Sequence, residues 1–325
     1  MKKTLLILIG ICVAGYFLIQ ALQGEMGTVG FEAVDSKEKA YPEFSLEVIE
    51  PGKEPRRKIT MKFQEGLRES GYARMKMSVA MGMGGAKMPQ MSMPGMSFPI
   101  EMHVDGVDAA GTAGVSFKYG DIVIEPSPGV DPKLVEEIQE SMTALKDFSG
   151  TVRISNRGEV QDLQMKFSDS LPAQISQMVN QMVNGLMNGF VFFPDQSLGV
   201  GAKWSIRYPE LQAGLMKTDM TITYEITESS GNELKLAVSQ KSTTPGQEID
   251  TAGQFPQGMV AHLKSGGSES SGSITLNLEQ LIPEANFMTT FSQEVELSEP
   301  NNPNAPTQLI TTDGKAESIL TKKAG

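Results

Sequence analysis

Apolar and polar side chains alternate with period two along much of the chain. In "RKITMKF", Ile59, Met61 and Phe63 fall on one side and Lys58, Thr60 and Lys62 on the other. "TITYEIT" repeats the pattern with Ile222, Tyr224 and Ile226. Successive side chains of a strand point to opposite faces, so the alternation predicts half-buried strands. About a dozen such segments follow Phe44, enough to require an antiparallel sheet system.

Two stretches change period. "DPKLVEEIQESMTALK" places Asp131 as a helix N-cap and Pro132 at the first helical position, where a missing N–H costs nothing. Leu134, Ile138, Met142 and Leu145 then form one apolar stripe. "SLPAQISQMVNQMVNGLMNG" reads as a second helix, with Ile175, Met178, Val179, Met182 and Leu186 at helical spacing and Gly189 as its stop. A methionine stripe of this kind is core packing before it is a cofactor site, because Met fills irregular gaps.

Between Met75 and His103 lie nine of the chain's 21 methionines. Met75, Met77, Met81 and Met83 have odd numbers and share one face of an extended chain, while Phe98, Ile100, Met102 and Val104 alternate on a return segment. The pattern predicts a hairpin with its tip near residues 84–95, and Met75, Met77, Met81, Met83 and Met102 as a pliable apolar surface. The alternative is a soft-metal site. Thioether sulfur suits Cu(I), and Met88, Met91, Met93 and Met96 are closely spaced with His103 downstream. The hairpin reading is preferred and no cofactor is expected; copper is the alternative cofactor.

A repeat underlies the strands. "DFSGTVRIS" matches "ESSGSITLN", pairing Ser149 with Ser271, Gly150 with Gly272, Val152 with Ile274 and Ile154 with Leu276, all 122 residues apart. At the same offset Ile100, Met102 and Val104 match Ile222, Tyr224 and Ile226. This predicts two duplicated halves, residues 56–167 and 203–297. Between the last strands, "STTPGQEIDTAGQFPQGMVAHLKSGGSESSG" reads as a long Gly/Ser/Pro-rich loop. In the 301–325 tail, "LITTDGKAESIL" reads as a hairpin around Asp313-Gly314.

The N-terminus sets the compartment. Lys2 and Lys3 precede residues 4–24, which carry no formal charge and as a helix would span a bilayer's hydrocarbon core. The lysines should stay cytoplasmic, placing the body outside. Residues 1–24 are thus read as a transmembrane anchor. Cleavage as a signal peptide, leaving a secreted protein, is the alternative, although "LIQALQG" is a poor cleavage site. Residues 25–42 are a polar linker, and 43–300 form the extracytoplasmic β-rich domain. Cys12, the sole cysteine, lies in the anchor, so the body has neither disulfide nor thiol chemistry. A net charge of −11 excludes nucleic acid as a partner, since binding it requires a basic face.

Enzymatic motifs are missing. His103 and His262 lie far apart, and no nucleophile elbow, phosphate loop or dinucleotide fingerprint occurs. Asp105 and Asp108 in "HVDGVDAAG" read as a strand-ending turn rather than a calcium loop, which needs more oxygen ligands at closer spacing.

The Met-rich hairpin together with "FVFFPDQSLGVGAKW" resembles a family of uncharacterised secreted or lipid-anchored bacterial proteins. Its later phrase, F-P-x-x-x-[VL]-x-V-G-x-x-W, is filled here by Phe193, Pro194, Leu198, Val200, Gly201 and Trp204. The resemblance covers residues 56–297 and implies no activity or catalytic residue. More loosely, strands wrapped on helices resemble the half-barrel of bacterial lipoprotein carriers. The expectation is therefore a mainly β (α+β) protein, with antiparallel sheets from two duplicated halves, two packed helices and an N-terminal transmembrane helix. Its expected role is non-catalytic, binding a hydrophobic ligand such as a lipid, or an envelope protein. Cu(I) buffering and a purely structural envelope role are the alternatives.

Overall fold

The computed structural model describes residues 43–126, 130, 132–143, 148–166, 191–213, 216–249, 260–299 and 307–323. The proposed anchor, the linker and the second helix lie outside the described residues. The strands are β1 (Ser45–Glu50), β2 (Arg68–Met83), β3 (Ala86–Lys87), β4 (Met91–Ser92), β5 (Gly95–Val107), β6 (Ala113–Tyr119) and β7 (Val123–Glu125), followed by helix α1 (Pro132–Met142). Then come β8 (Ser149–Ile154), β9 (Val160–Lys166), β10 (Lys203–Ala213), β11 (Met216–Ser230), β12 (Glu233–Thr244), β13 (Gln247–Ile249), β14 (Val260–Asn277), β15 (Glu284–Ser298) and β16 (Gln308–Lys322).

All strands belong to one antiparallel sheet. Its main order is β1-β10-β11-β12-β14-β15-β16-β2-β5-β6-β8-β9. Two five-stranded meanders stand out, β2-β5-β6-β8-β9 and β10-β11-β12-β14-β15, with β16 between them. Their registers correspond row by row. Val104, Val115, Val152 and Leu163 lie opposite one another across β5, β6, β8 and β9. Ile226, Leu236, Ile274 and Ala285 do so across β11, β12, β14 and β15. The same irregularity interrupts both ladders, between Val104 and Gly106 in one and Ile226 and Glu228 in the other. A side chain at Gly150 would collide with the Gln164 carbonyl and the Phe117 ring. At the matching Gly272 it would collide with the Asn286 carbonyl and the Phe287 ring. The segments around Val152 and Ile274 therefore have equivalent neighbours.

One apolar face runs through both meanders. In the first, Met102, Val104, Val115, Phe117, Val152 and Ile154 are buried together; in the second, Trp204, Ile222, Tyr224, Ile226, Leu236 and Ile274 are. Burying such side chains is worth about 1.5–3 kcal/mol each and is the main force holding the sheet. A third small cluster, including Met216, Leu263 and Val295, closes the opposite end of the second meander.

Three segments depart from their sequence patterns. Residues 57–63 alternate as expected but form no regular strand; Arg57 makes only an isolated bridge to Leu198. The segment instead crosses the buried face. Ile59 enters the second core, Phe63 the first, and Met61 touches both. Met61 N–H donates to Asn156 O and Lys62 N–H to Leu278 O, each at 2.6 Å, and these two acceptors occupy matching positions in the halves. The Gly/Ser run 265–272, expected as loop, is strand: β14 is laddered on both sides, which satisfies its backbone whatever its side chains. Asp313-Gly314 is no hairpin turn but the middle of the continuous strand β16. Gly314 is required there because the Phe291 ring covers its Cα, leaving no room for a Cβ.

Of the expected helices, α1 is present from Pro132, and its Met142 is buried in the first core. Gln139 fixes it to the sheet, donating from Nε2 to Ile122 O at 2.8 Å and accepting from Ile124 N–H at 3.2 Å. Among the described residues no helix is long and apolar enough to cross a membrane.

Candidate ligand-binding interior

The Met-rich stretch forms a hairpin, but its register differs from the expected one. Gly84 and Gly85, at φ of 59° and 86°, make the turn, and the chain returns along β2 at once. Ala86 lies opposite Met83, Met91 opposite Val79 and Met96 opposite Met75. Ile100 and Met102 therefore face Gly71 and Glu69, not the methionines of β2. Pro89 and Pro94 lack the N–H a ladder needs, and they fall at the breaks between β3, β4 and β5. The expected loop tip is mostly paired backbone.

This register draws the methionines inward. Met77, Met81 and Met102 are buried, Met75 is partly buried, and Met83 is exposed at the turn. Met93 and Met96 are also buried and Met88 is partly so, whereas Met91 is exposed. Met93 N–H donates to Met77 O at 2.9 Å and Met88 N–H to Met81 O at 2.7 Å, holding the return segment against β2. Met61, Met142 and Met165 complete the set around one core. Among the described residues, the matching core of the second half buries one methionine, Met220, and the small third cluster another, Met216.

The residues of the copper alternative are not brought together as a set. His103 lies opposite Arg68, seven residues along β5 from Met96, a separation of about 23 Å at strand rise. Its Nδ1 sits 2.8 Å from Asp105 Oδ1, which also accepts from Ser116 Oγ at 3.0 Å. The serine thus bonds the carboxylate rather than the imidazole, which is not the order that activates a nucleophile. Asp108 closes the following turn, accepting from Ala110 and Thr112 N–H at 2.9 Å and pairing with Arg153 at 3.1 Å. Among the described residues no three His, Cys, Asp or Glu side chains converge as metal ligands.

Sequence reasoning did not single out Glu69. Its side chain is almost wholly buried; one oxygen accepts from Leu281 and Ile282 N–H at 3.0 and 2.9 Å, and the other from Lys322 Nζ at 2.6 Å. It joins β2, the β14–β15 turn and β16. A carboxylate flanked by Arg68 and Ser70 in sequence gives no sign of this. Trp204 is fully buried, stacked on Tyr224 at 5.2 Å and donating from Nε1 to Phe192 O at 3.0 Å.

Neither a protein-family model nor a curated protein matches the chain, so the resemblance through the Met-rich hairpin and the Phe193–Trp204 phrase gains no support there. Among solved structures, one of lipid–protein interactions in lipovitellin is similar over 80% of this chain and 25% of that one, at 13% identity and a TM-score of 0.37. This chain spans about a quarter of that structure's length, and so low a score does not make the folds equivalent.

Proposed function

We propose that the chain is a non-catalytic, exported binding protein, held at the cytoplasmic membrane by residues 4–24, whose first half takes up an apolar molecule. One observation carries this reading: two meanders of the same register have interiors of different composition. The second is filled by Trp204, Tyr224, Phe193 and branched aliphatics. At the place matching Tyr224 the first carries Met102, and five more methionines, Met77, Met81, Met93, Met96 and Met142, are buried in the same core. Packing alone needs no such difference, since the second half fills the same frame with rigid side chains. Unbranched thioether chains repack at low cost around guests of varied shape. The compartment follows from Lys2, Lys3 and the uncharged run behind them. The test is organic extraction of the purified full chain followed by mass spectrometry of the extract. A stoichiometric apolar molecule is expected; an empty extract, with no uptake of added long-chain alkyl probes, contradicts the reading.

A further inference from the structure

The seam between the halves carries a groove of about 610 Å³ that crosses β12, β14, β15, β16 and β2. It lies on the face opposite the methionines, because its lining residue Ala80 alternates along β2 with the buried Val79 and Met81. Two rows of directly opposed residues form it. One runs Lys241, Glu269, Thr290, Lys315, Ser78 and the other Thr243, Gly267, Ser292, Asp313, Ala80. Small side chains in the second row leave the depression, and Gln90 closes one end by donating from Nε2 to Ser78 Oγ at 2.7 Å.

Four lysines of this sheet are neutralised by glutamates across strands. Lys203 pairs with Glu225, Lys235 with Glu228, Lys241 with Glu269 and Lys264 with Glu296, at 3.6, 2.8, 3.2 and 3.1 Å. Beside the Lys241–Glu269 pair, the groove holds two further charges. Lys315 stands between Thr290 and Ser78, and Asp313 between Ser292 and Ala80. Neither takes part in an ion pair among the described residues, and they do not pair with each other. Two residues apart on one strand, they project on the same side with Cα atoms about 6.8 Å apart.

We propose that this groove binds a zwitterionic polar group, with its anion on Lys315 and its cation on Asp313. A phosphate and an ammonium joined by a two-carbon bridge have this chemistry. The hydroxyls of Thr290, Ser292 and Ser78 supply further hydrogen bonds to phosphate oxygens. A simple anion is disfavoured, because it would meet Asp313 as well as Lys315 on a chain of net charge −11. A zwitterion carries no net charge and answers both groups. The proposal is independent of the apolar-ligand reading, since the two sites occupy opposite faces.

Such a group occurs on a lipid or as a free solute, and calorimetric titration of the full chain in maltoside micelles separates the sources. One arm uses soluble glycerophosphoethanolamine; the other uses micelles doped with phosphatidylethanolamine. Saturable binding in either arm is expected, and the arm that responds identifies the source. Lys315→Gln and Asp313→Asn should each weaken it about tenfold or more, as loss of a charge-assisted contact does, while Lys235→Gln, outside the groove, leaves it nearly unchanged. All three side chains are exposed, so the variants should fold, and circular dichroism checks this. Failure to bind in both arms overturns the proposal, as does binding that is indifferent to Lys315→Gln and Asp313→Asn.

Discussion

In the first half Glu69 stands opposite Met102; in the second, at the matching register, Trp204 stands opposite Tyr224. The shared frame thus accommodates two solutions. In the second half an indole stacks on a phenol and the core closes on itself. In the first a buried carboxylate ties three elements from both halves, and flexible thioethers fill the space beside it. Register fixes where side chains meet, and composition decides how easily they give way. Rigid and pliable interiors can therefore be built on one backbone plan.

The most severe way to break the comparison is to remove what joins its parts. Ending the chain at Glu299 deletes β16, which is laddered to β15 on one side and β2 on the other. The single sheet should then divide, with amide-exchange protection lost along β2 and β15 and retained in the middle of each meander. Uniform protection would show that the halves cohere without the strap.

Next in size is Glu69→Ala, which strands two buried N–H groups and Lys322. A cost of about 3–5 kcal/mol in chemical denaturation is expected, as for other broken buried pairs. A value below about 1 kcal/mol would put the lock elsewhere.

Within the Met-rich half, Met93→Ala should cost about 2–5 kcal/mol, because the side chain is only 4% exposed. Met91, two residues away and 38% exposed, should cost about 0.5 kcal/mol or less. Equal effects would contradict the inward return of residues 86–96.

Alkaline titration sharpens the contrast further. Tyr119 lies opposite Ile100, where the second half has Gln240 opposite Ile222. Burial pushes the Tyr119 phenol up to about 12 from its ordinary 10.0. A raised folded value favours the neutral phenol, so its stabilisation is complete below pH 10 and is lost as pH rises towards 12. The loss amounts to at most about 2.7 kcal/mol. In Tyr119→Phe that part of the decline should vanish, and an unchanged pH profile would place the phenol in water.

The strands were legible because one face is buried along nearly the whole sheet, which imposes period two on residues such as Ile222, Tyr224 and Ile226. The matching registers were legible because Gly150 and Gly272 each lie against a carbonyl of the following strand, Gln164 O and Asn286 O, which leaves no room for a Cβ, so the same residue recurs at the same place. The strap was not legible. Gly314 looks like a turn residue beside Asp313, and only the ring of Phe291, from another strand, explains it. The Gly/Ser portion of β14 was hidden similarly, since ladder pairing leaves no mark on side-chain composition. At the candidate interior, the sequence showed which methionines share a face. Their partners depended on a turn placed at Gly84-Gly85 rather than across a longer loop.

Methyl-resolved NMR of methionine-labelled full chain, titrated with a long-chain alkyl probe, tests the central claim most directly. The account predicts saturable shifts at Met77, Met81, Met93, Met96 and Met102, with Met216 and Met220 unmoved. Shifts of equal size at Met220, or none at the first-half methionines, would contradict it.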